Sequence, residues 1–301
     1  MDRSRIHQAA EILRKGGLVA LPTETVYGLG ADASNETAVQ AIFRVKGRPE
    51  NHPLIVHLHS VTQVCLWAKS APEAALALGR KFWPGPLTLI LKKASTVSKM
   101  VTGGQETVGL RVPDHPVALA LLRKFGGGVA APSANRFGKV SPTTAGHVKK
   151  DLGGDIDFIL DGGPCDIGVE STIVDFSSGD PVILRPGGLT RERLEKALGR
   201  PVAVRGIGPV RVSGQLESHY APKALVVVVT PGEVESRAAG LSKGGKKVVV
   251  LAKRDVAAKK LYASLRRADE SGADVIVVPA PDEKGLGLAV GDRLRKAAGK
   301  R

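Results

Sequence analysis

Apolar residues recur at helical spacing from Ser4 to Lys15. Ile6, Ala9, Ala10 and Leu13 share one face there, and Gly16-Gly17 ends the run. Leu18 to Leu21 are all apolar and stop at Pro22, the pattern of a buried strand. A second helix is predicted from Ser34 or Asn35, either a good N-cap, with Ala38, Ala41, Ile42 and Val45 inward and Gly47 as its stop. Short apolar runs follow at Leu54–Leu58, Leu87–Leu91, Val108–Val112, Val129–Ala131, Phe158–Leu160, Thr172–Phe176 and Val182–Leu184. Helical patterns separate several of them, including Pro116–Lys124 and Thr143–Asp151. This alternation predicts an α/β or α+β domain built on a large sheet.

The texture changes after a further helical stretch, Thr190–Leu198. Residues 201–222 are rich in Gly and Pro and lack helical periodicity, which reads as a linker or extended arm. Val-rich runs at Leu225–Val229, Lys247–Leu251 and Val275–Val278 then alternate with helical segments at 232–241, 254–269 and 284–298. That is the pattern of a small doubly wound α/β unit. Three parts result: 1–200, an arm over 201–222, and a second domain over 223–301.

Composition narrows the setting. The two cysteines, Cys65 and Cys165, stand far apart and form no CxxC knuckle, so a reducing, cytoplasmic location is expected, with no metal held by protein side chains. The charged first residues lack the apolar segment of a signal peptide, and no uncharged apolar stretch reaches 18 residues, so no membrane partner is expected. The net charge of +15 favours polyanions such as nucleotides or RNA. It is densest at the end: residues 1–200 carry 25 Lys and Arg against 19 Asp and Glu, residues 201–301 carry 19 against 10.

Five segments offer chemistry. PTETVYGLG, residues 22–30, follows a strand directly and sets two hydroxyls, a carboxylate and a phenol beside glycines. Lys46 and Arg48 leave a helix end together, stiffened by Pro49 and Pro53; such a pair suits a triphosphate, or simply the negative helix end. Arg111 lies in an apolar strand and needs an anion, either an internal carboxylate or a ligand's. APSAN, residues 131–135, with Ser141 and Thr143 downstream, supplies small hydrogen-bonding groups or an ordinary turn. Ser171-Thr172 opens a strand, and Arg185 closes the next. There is no P-loop, no GxSxG elbow and no His/Cys/Asp set at metal-ligand spacing. The inventory of hydroxyls, amides and arginines favours binding and orienting anions over shuttling protons.

Jointly, PTETVYGLG, KGRP with PLIVH, FWPGPLTLIL, VGLRVPDHP, APSAN, SPTTA, ESTIVD and RPG resemble the YrdC family of L-threonylcarbamoyladenylate synthases over residues 5–200. The arm SGQLESHYAP and the unit after it resemble the longer, two-domain branch of that family. The resemblance implies a YrdC-like twisted mixed sheet with helices, plus the small C-terminal domain. It implies an L-threonine site at Thr25, His57, Arg111, Ser133 and Ser171. ATP would contact Arg48, His52, Thr107, Asn135, Ser141, Thr143, Arg185 and Tyr220, and Lys46 and Arg48 would act on the phosphates. Position 52 departs from the pattern, being His where the family usually has Asn. The implied reaction joins L-threonine, bicarbonate and ATP, with Mg²⁺ held mainly by the phosphates. It would feed a downstream threonylcarbamoyl-transferase that modifies tRNA, with weak RNA or tRNA contact by the basic surface. The Tyr220 arm is the expected lid. The rival readings are a carbamoyltransferase with a related domain and a double-stranded RNA-binding protein.

Overall fold

The computed structural model describes residues 2–299 except 206, 207, 209, 216 and 217. Five residues of the expected lid, 206, 207, 209, 216 and 217, therefore lie outside the described residues. The helices are α1 (Arg3–Arg14), α2 (Glu36–Lys46), α3 (Val64–Trp67), α4 (Glu73–Phe82), α5 (Lys99–Thr102), α6 (Pro116–Phe125), α7 (Ala145–Leu152), α8 (Arg191–Leu198), α9 (Val234–Lys243), α10 (Ala258–Glu270) and α11 (Gly287–Ala297). The strands are β1 (Val19–Leu21), β2 (Gly28–Asp32), β3 (Ile55–His57), β4 (Leu87–Lys92), β5 (Thr107–Arg111), β6 (Val129–Ala130), β7 (Phe158–Ile159), β8 (Thr172–Asp175), β9 (Val182–Arg185), β10 (Ala203–Val204), β11 (Leu225–Val229), β12 (Val248–Val250) and β13 (Val275–Pro279).

Ten strands form one mixed sheet, in the order β10-β9-β8-β4-β5-β3-β6-β2-β1-β7. Successive side chains alternate across it. Val19 and Leu21 pack with α1 and α6, whereas Ala20 packs with α2 on the other face. The segment read as the linker opens as an edge strand, β10 paired parallel to β9, so the sheet continues past residue 200. Val210 and Val212 of the arm then pack on Ile90, Ile173 and Leu184 at the sheet.

Local signals set α2. The Asn35 side chain accepts from the Ala38 amide at 3.1 Å, and Gly47 closes the helix at φ +63°. Its buried face is Ala38, Val39, Ile42 and Phe43. Ala41 and Val45 sit at the rim, so the inward stripe is rotated from the expected one.

The C-terminal sheet is all parallel, in the order β11-β13-β12. Its middle strand is buried on both faces, as a doubly wound pattern requires. α9 packs on β12 and β13, while α10 and α11 pack together. Val26, Val140 and Val169 of the large domain join the same apolar cluster as Tyr262, Leu265 and Leu294. Arg266 reaches across the seam to Asp151 at 3.0 and 2.5 Å. The two domains thus share a core. No helix among the described residues is long and apolar enough to cross a membrane.

Candidate active site

Strand ends and loops of the large sheet converge on one cavity. Thr25 comes from the turn between β1 and β2, Arg48 from the exit of α2, and His57 and Arg111 from the paired ends of β3 and β5. Ser133 follows β6, Ser171 precedes β8, and Arg185 ends β9. Gly187 lets these last two meet: a Cβ there would strike the backbone of Glu170, Ser171 and Thr172. The arm closes the remaining side with Ser213, Gly214, His219 and Tyr220. The space left among these residues is about 50 Å³, room for a few waters.

One end of the cavity holds a buried ion pair. Arg111 meets Glu24 at 2.7 Å, with both side chains about 5% exposed. The contact runs off the hydrogen-bonding direction, so both Glu24 oxygens and Arg111 Nε and Nη2 lack a hydrogen bond. The internal carboxylate left open by the sequence is therefore Glu24, and Arg111 keeps donors for a second anion. Burial, and then Arg111, push the His57 imidazole down to about 3, so it is neutral near pH 7. Thr23 and Thr25 share a hydroxyl contact at 2.8 Å beside it.

The other end holds two buried guanidiniums. Arg48 Nη2 donates to Pro53 O at 2.9 Å and to Ser213 Oγ at 3.0 Å. Arg185 donates to Ser171 O at 3.2 and 2.9 Å, to Ser171 Oγ at 3.2 Å and to Ser213 O at 3.0 Å. Burial brings Arg48 down to about 10. Among the described residues neither arginine forms an ion pair, and Arg48 Nε has no partner. Buried cations with only neutral partners are what an anion-binding pocket requires.

Several expected site residues stand behind the wall. Lys46 is buried, and its ammonium holds Ser133 O and, at 2.5 Å, Asn135 O. It is therefore aimed at the loop carrying Ser133. Asn135 spends its amide on Arg136 O and Lys139 O, both at 2.8 Å, and leaves Oδ1 without a partner. Ser141 donates to Glu170 at 2.7 Å. Thr143 contacts His147, and its carbonyl accepts from the Cys165 amide. Thr107 lines an adjoining recess with Gln105 and Arg211. His52 is half-buried and meets Phe137 edge-on at 5.3 Å; Phe137 continues to His219 at 5.9 Å, and His219 to Tyr220 at 4.1 Å. Tyr220 is buried and stacks on Tyr262 at 5.8 Å. Sequence reasoning quoted Glu24 and Glu170 inside motifs but assigned them nothing. Their signal was a carboxylate adjacent to Thr25 and to Ser171 in a chain whose other motifs carry Arg48, Arg111 and Arg185.

Residues 11–187 match the Sua5/yciO/yrdC family profile, described as telomere recombination, and residues 189–299 match the profile for the C-terminal domain of threonylcarbamoyl-AMP synthase. The threonylcarbamoyl-AMP synthase of Pyrococcus abyssi is 44% identical, over 100% of this chain and 96% of its own length. That of Bacillus subtilis is 43% identical, over 99% and 94%. The chain belongs to the Sua5/YrdC family of threonylcarbamoyl-AMP synthases. Its fold matches the crystal structure of P. abyssi Sua5 complexed with L-threonine at a TM-score of 0.95 and 44% identity, over 99% of this chain and 95% of that one. Within the family the second domain is not universal. A putative threonylcarbamoyl-AMP synthase of Mycobacterium tuberculosis, 40% identical, aligns over 91% of its length but only 66% of this chain.

Proposed function

We propose that the chain makes threonylcarbamoyl-AMP and pyrophosphate from L-threonine, bicarbonate and ATP, for the threonylcarbamoyladenosine modification of tRNA. The observation that carries this reading is the division of one cavity into two anion-binding ends, Arg111 with Glu24 and Arg48 with Arg185. Threonine's carboxylate would take the free donors of Arg111, with Thr25, His57, Ser133 and Ser171 around it. The triphosphate would lie on Arg48 and Arg185. Amine and bicarbonate condense to a carbamate with loss of water. A carbamate oxygen then bonds to the α-phosphorus as the bond to pyrophosphate breaks. Such a step depends on alignment and charge stabilisation, which fixed arginines and hydroxyls supply without a protein nucleophile. Glu24 and Glu170 are already committed to Arg111 and Arg293, so Mg²⁺ would enter on the phosphates and neutralise part of their charge.

The docked arm supports a lid over the nucleotide. Ser213 already contacts both phosphate-end arginines, and closure would keep water from the mixed anhydride. A downstream transferase would take up the adenylate. Pyrophosphate release that needs both threonine and bicarbonate is the test. Release without threonine, or RNA binding with no release, would overturn the reading.

A further inference from the structure

Glu170 stands where three parts of the chain meet, and its carboxylate is fully committed. It accepts from Ser141 Oγ at 2.7 Å, from Tyr262 Oη at 3.0 and 2.8 Å, and from Arg293 Nε at 2.7 Å. Burial pushes this carboxyl up, but the guanidiniums of Arg293 and Arg185 outweigh that and hold it at about 2. Arg293 belongs to α11 of the C-terminal domain and is 0% exposed. Its Nη1 also donates to Pro186 O at 3.0 Å, one residue past Arg185. Its guanidinium lies 5.1 Å from the centroid of the Tyr220 ring.

Tyr220 needs such support. At φ +60° it is the one non-glycine with positive φ among the described residues, a region that side chains occupy only when their surroundings force them there. The amides on either side are tied to different domains. His219 N–H donates to Lys296 O of α11 at 3.2 Å, and Ala221 N–H donates to Gly138 O at 2.9 Å. Neutralising Glu170 would need only a point charge. Reaching Glu170, Pro186 O and the Tyr220 ring at once needs a planar fork.

We infer that Arg293 is a positioning residue for the reaction. From the C-terminal domain it locks Glu170, the strand end carrying Arg185, and Tyr220 of the arm into one arrangement, so that seating of the domain and docking of the arm are a single coupled event. Arg293 does not line the cavity; it acts through Tyr220 and Arg185. The inference rests on the proposed reaction for its kinetic consequences, and on the arm alone for its structural one.

Arg293→Lys in the full chain keeps the charge against Glu170 but cannot hold three partners. It should melt cooperatively. The amides of His219 and Ala221 should exchange with solvent at least ~10-fold faster. kcat/KM for ATP should fall at least ~10-fold while KM for threonine stays within about twofold, because the Arg111 end is untouched. Adding Arg293→Lys to Tyr220→Ala should cost clearly less than Arg293→Lys costs in the parent, because part of its effect runs through Tyr220. Exchange and ATP kinetics at the parent level would overturn the inference, as would losses that simply multiply in the double variant. If Arg293→Lys fails to fold, Arg293→Met with Glu170→Gln removes both charges together, and slow exchange at His219 and Ala221 in that protein overturns it equally. If the parent chain releases no pyrophosphate with threonine and bicarbonate, the functional reading fails, while the exchange result still decides the role of Arg293.

Discussion

Gly214 offers a direct perturbation of the docked arm. It sits at φ +85°, and a Cβ built on it would stand on the hydroxyl of Tyr220. Gly214→Ala therefore incurs two penalties. An L-residue in the left-handed region costs roughly 1–2 kcal/mol. Overlap with a ring that is 1% exposed and stacked on Tyr262 adds about 1–3 kcal/mol, because the ring cannot step aside. Their sum, about 2–5 kcal/mol, acts against the docked arm and corresponds to roughly 30- to 5,000-fold. The assay is threonine- and bicarbonate-dependent pyrophosphate release against ATP concentration, with thermal unfolding alongside. We expect kcat/KM for ATP to fall at least ~30-fold, with the melting temperature lowered by roughly 4–20 °C. Tyr220→Phe removes the struck hydroxyl, so Gly214→Ala/Tyr220→Phe should recover the overlap share, on the order of 5- to 150-fold. Parent-level ATP kinetics in Gly214→Ala would refute the reasoning, because the arm would then tolerate a clash at the nucleotide end.

Arg111→Ala should raise KM for threonine far more than KM for ATP, and an unchanged threonine dependence in a folded variant would remove Arg111 from the substrate site. Arg48→Ala should cost on the order of 2–4 kcal/mol in the barrier, with Arg48→Lys rescuing only part because it lacks the fork; turnover within a few-fold of the parent would contradict the phosphate role. Burial holds His57 and His219 at about 3, against an unfolded value near 6.5. Below pH 6.5 the unfolded chain therefore binds more protons, and stability falls as pH falls towards 3. Between pH 6.5 and 5 each histidine should cost roughly 2 kcal/mol in the free energy of unfolding. Denaturant titrations across that range should show the drop, and His219→Gln should remove the share of roughly 2 kcal/mol that His219 contributes.

Where chemistry and structure were both local, the chain announced them. Asn35 and Gly47 bound α2 because a cap needs only its nearest neighbours. The α2 stripe was rotated because Val39 and Phe43 are apolar too, and packing rather than spacing decided which face turned inward. β2 escaped notice because Gly28, Gly30 and Ala31 are small and read as a ligand loop, yet small residues are what its close neighbours require. The cavity wall gathered Thr25, Arg48, His57, Arg111, Ser133, Ser171, Arg185 and Tyr220, all named by motif. Lys46 was legible as a cation but not as one turned onto carbonyls, because its partners lie 87 and 89 residues away. Arg293 had no sequence signal at all: an arginine in a basic helix looks solvated until the fold buries it.

The same arginine has a temporal meaning. Glu170 and Arg293 are separated by 123 residues, and α11 is the last helix among the described residues. At about 5–20 residues per second, a growing polypeptide exposes Glu170 roughly 6–25 s before its arginine exists. Through that interval the large domain can collapse around its sheet, but the carboxylate must stay hydrated, and the ring of Tyr220 has no guanidinium to rest on. Under the inferred coupling, the docked arm and the seat of the second domain can therefore set only once α11 has been made.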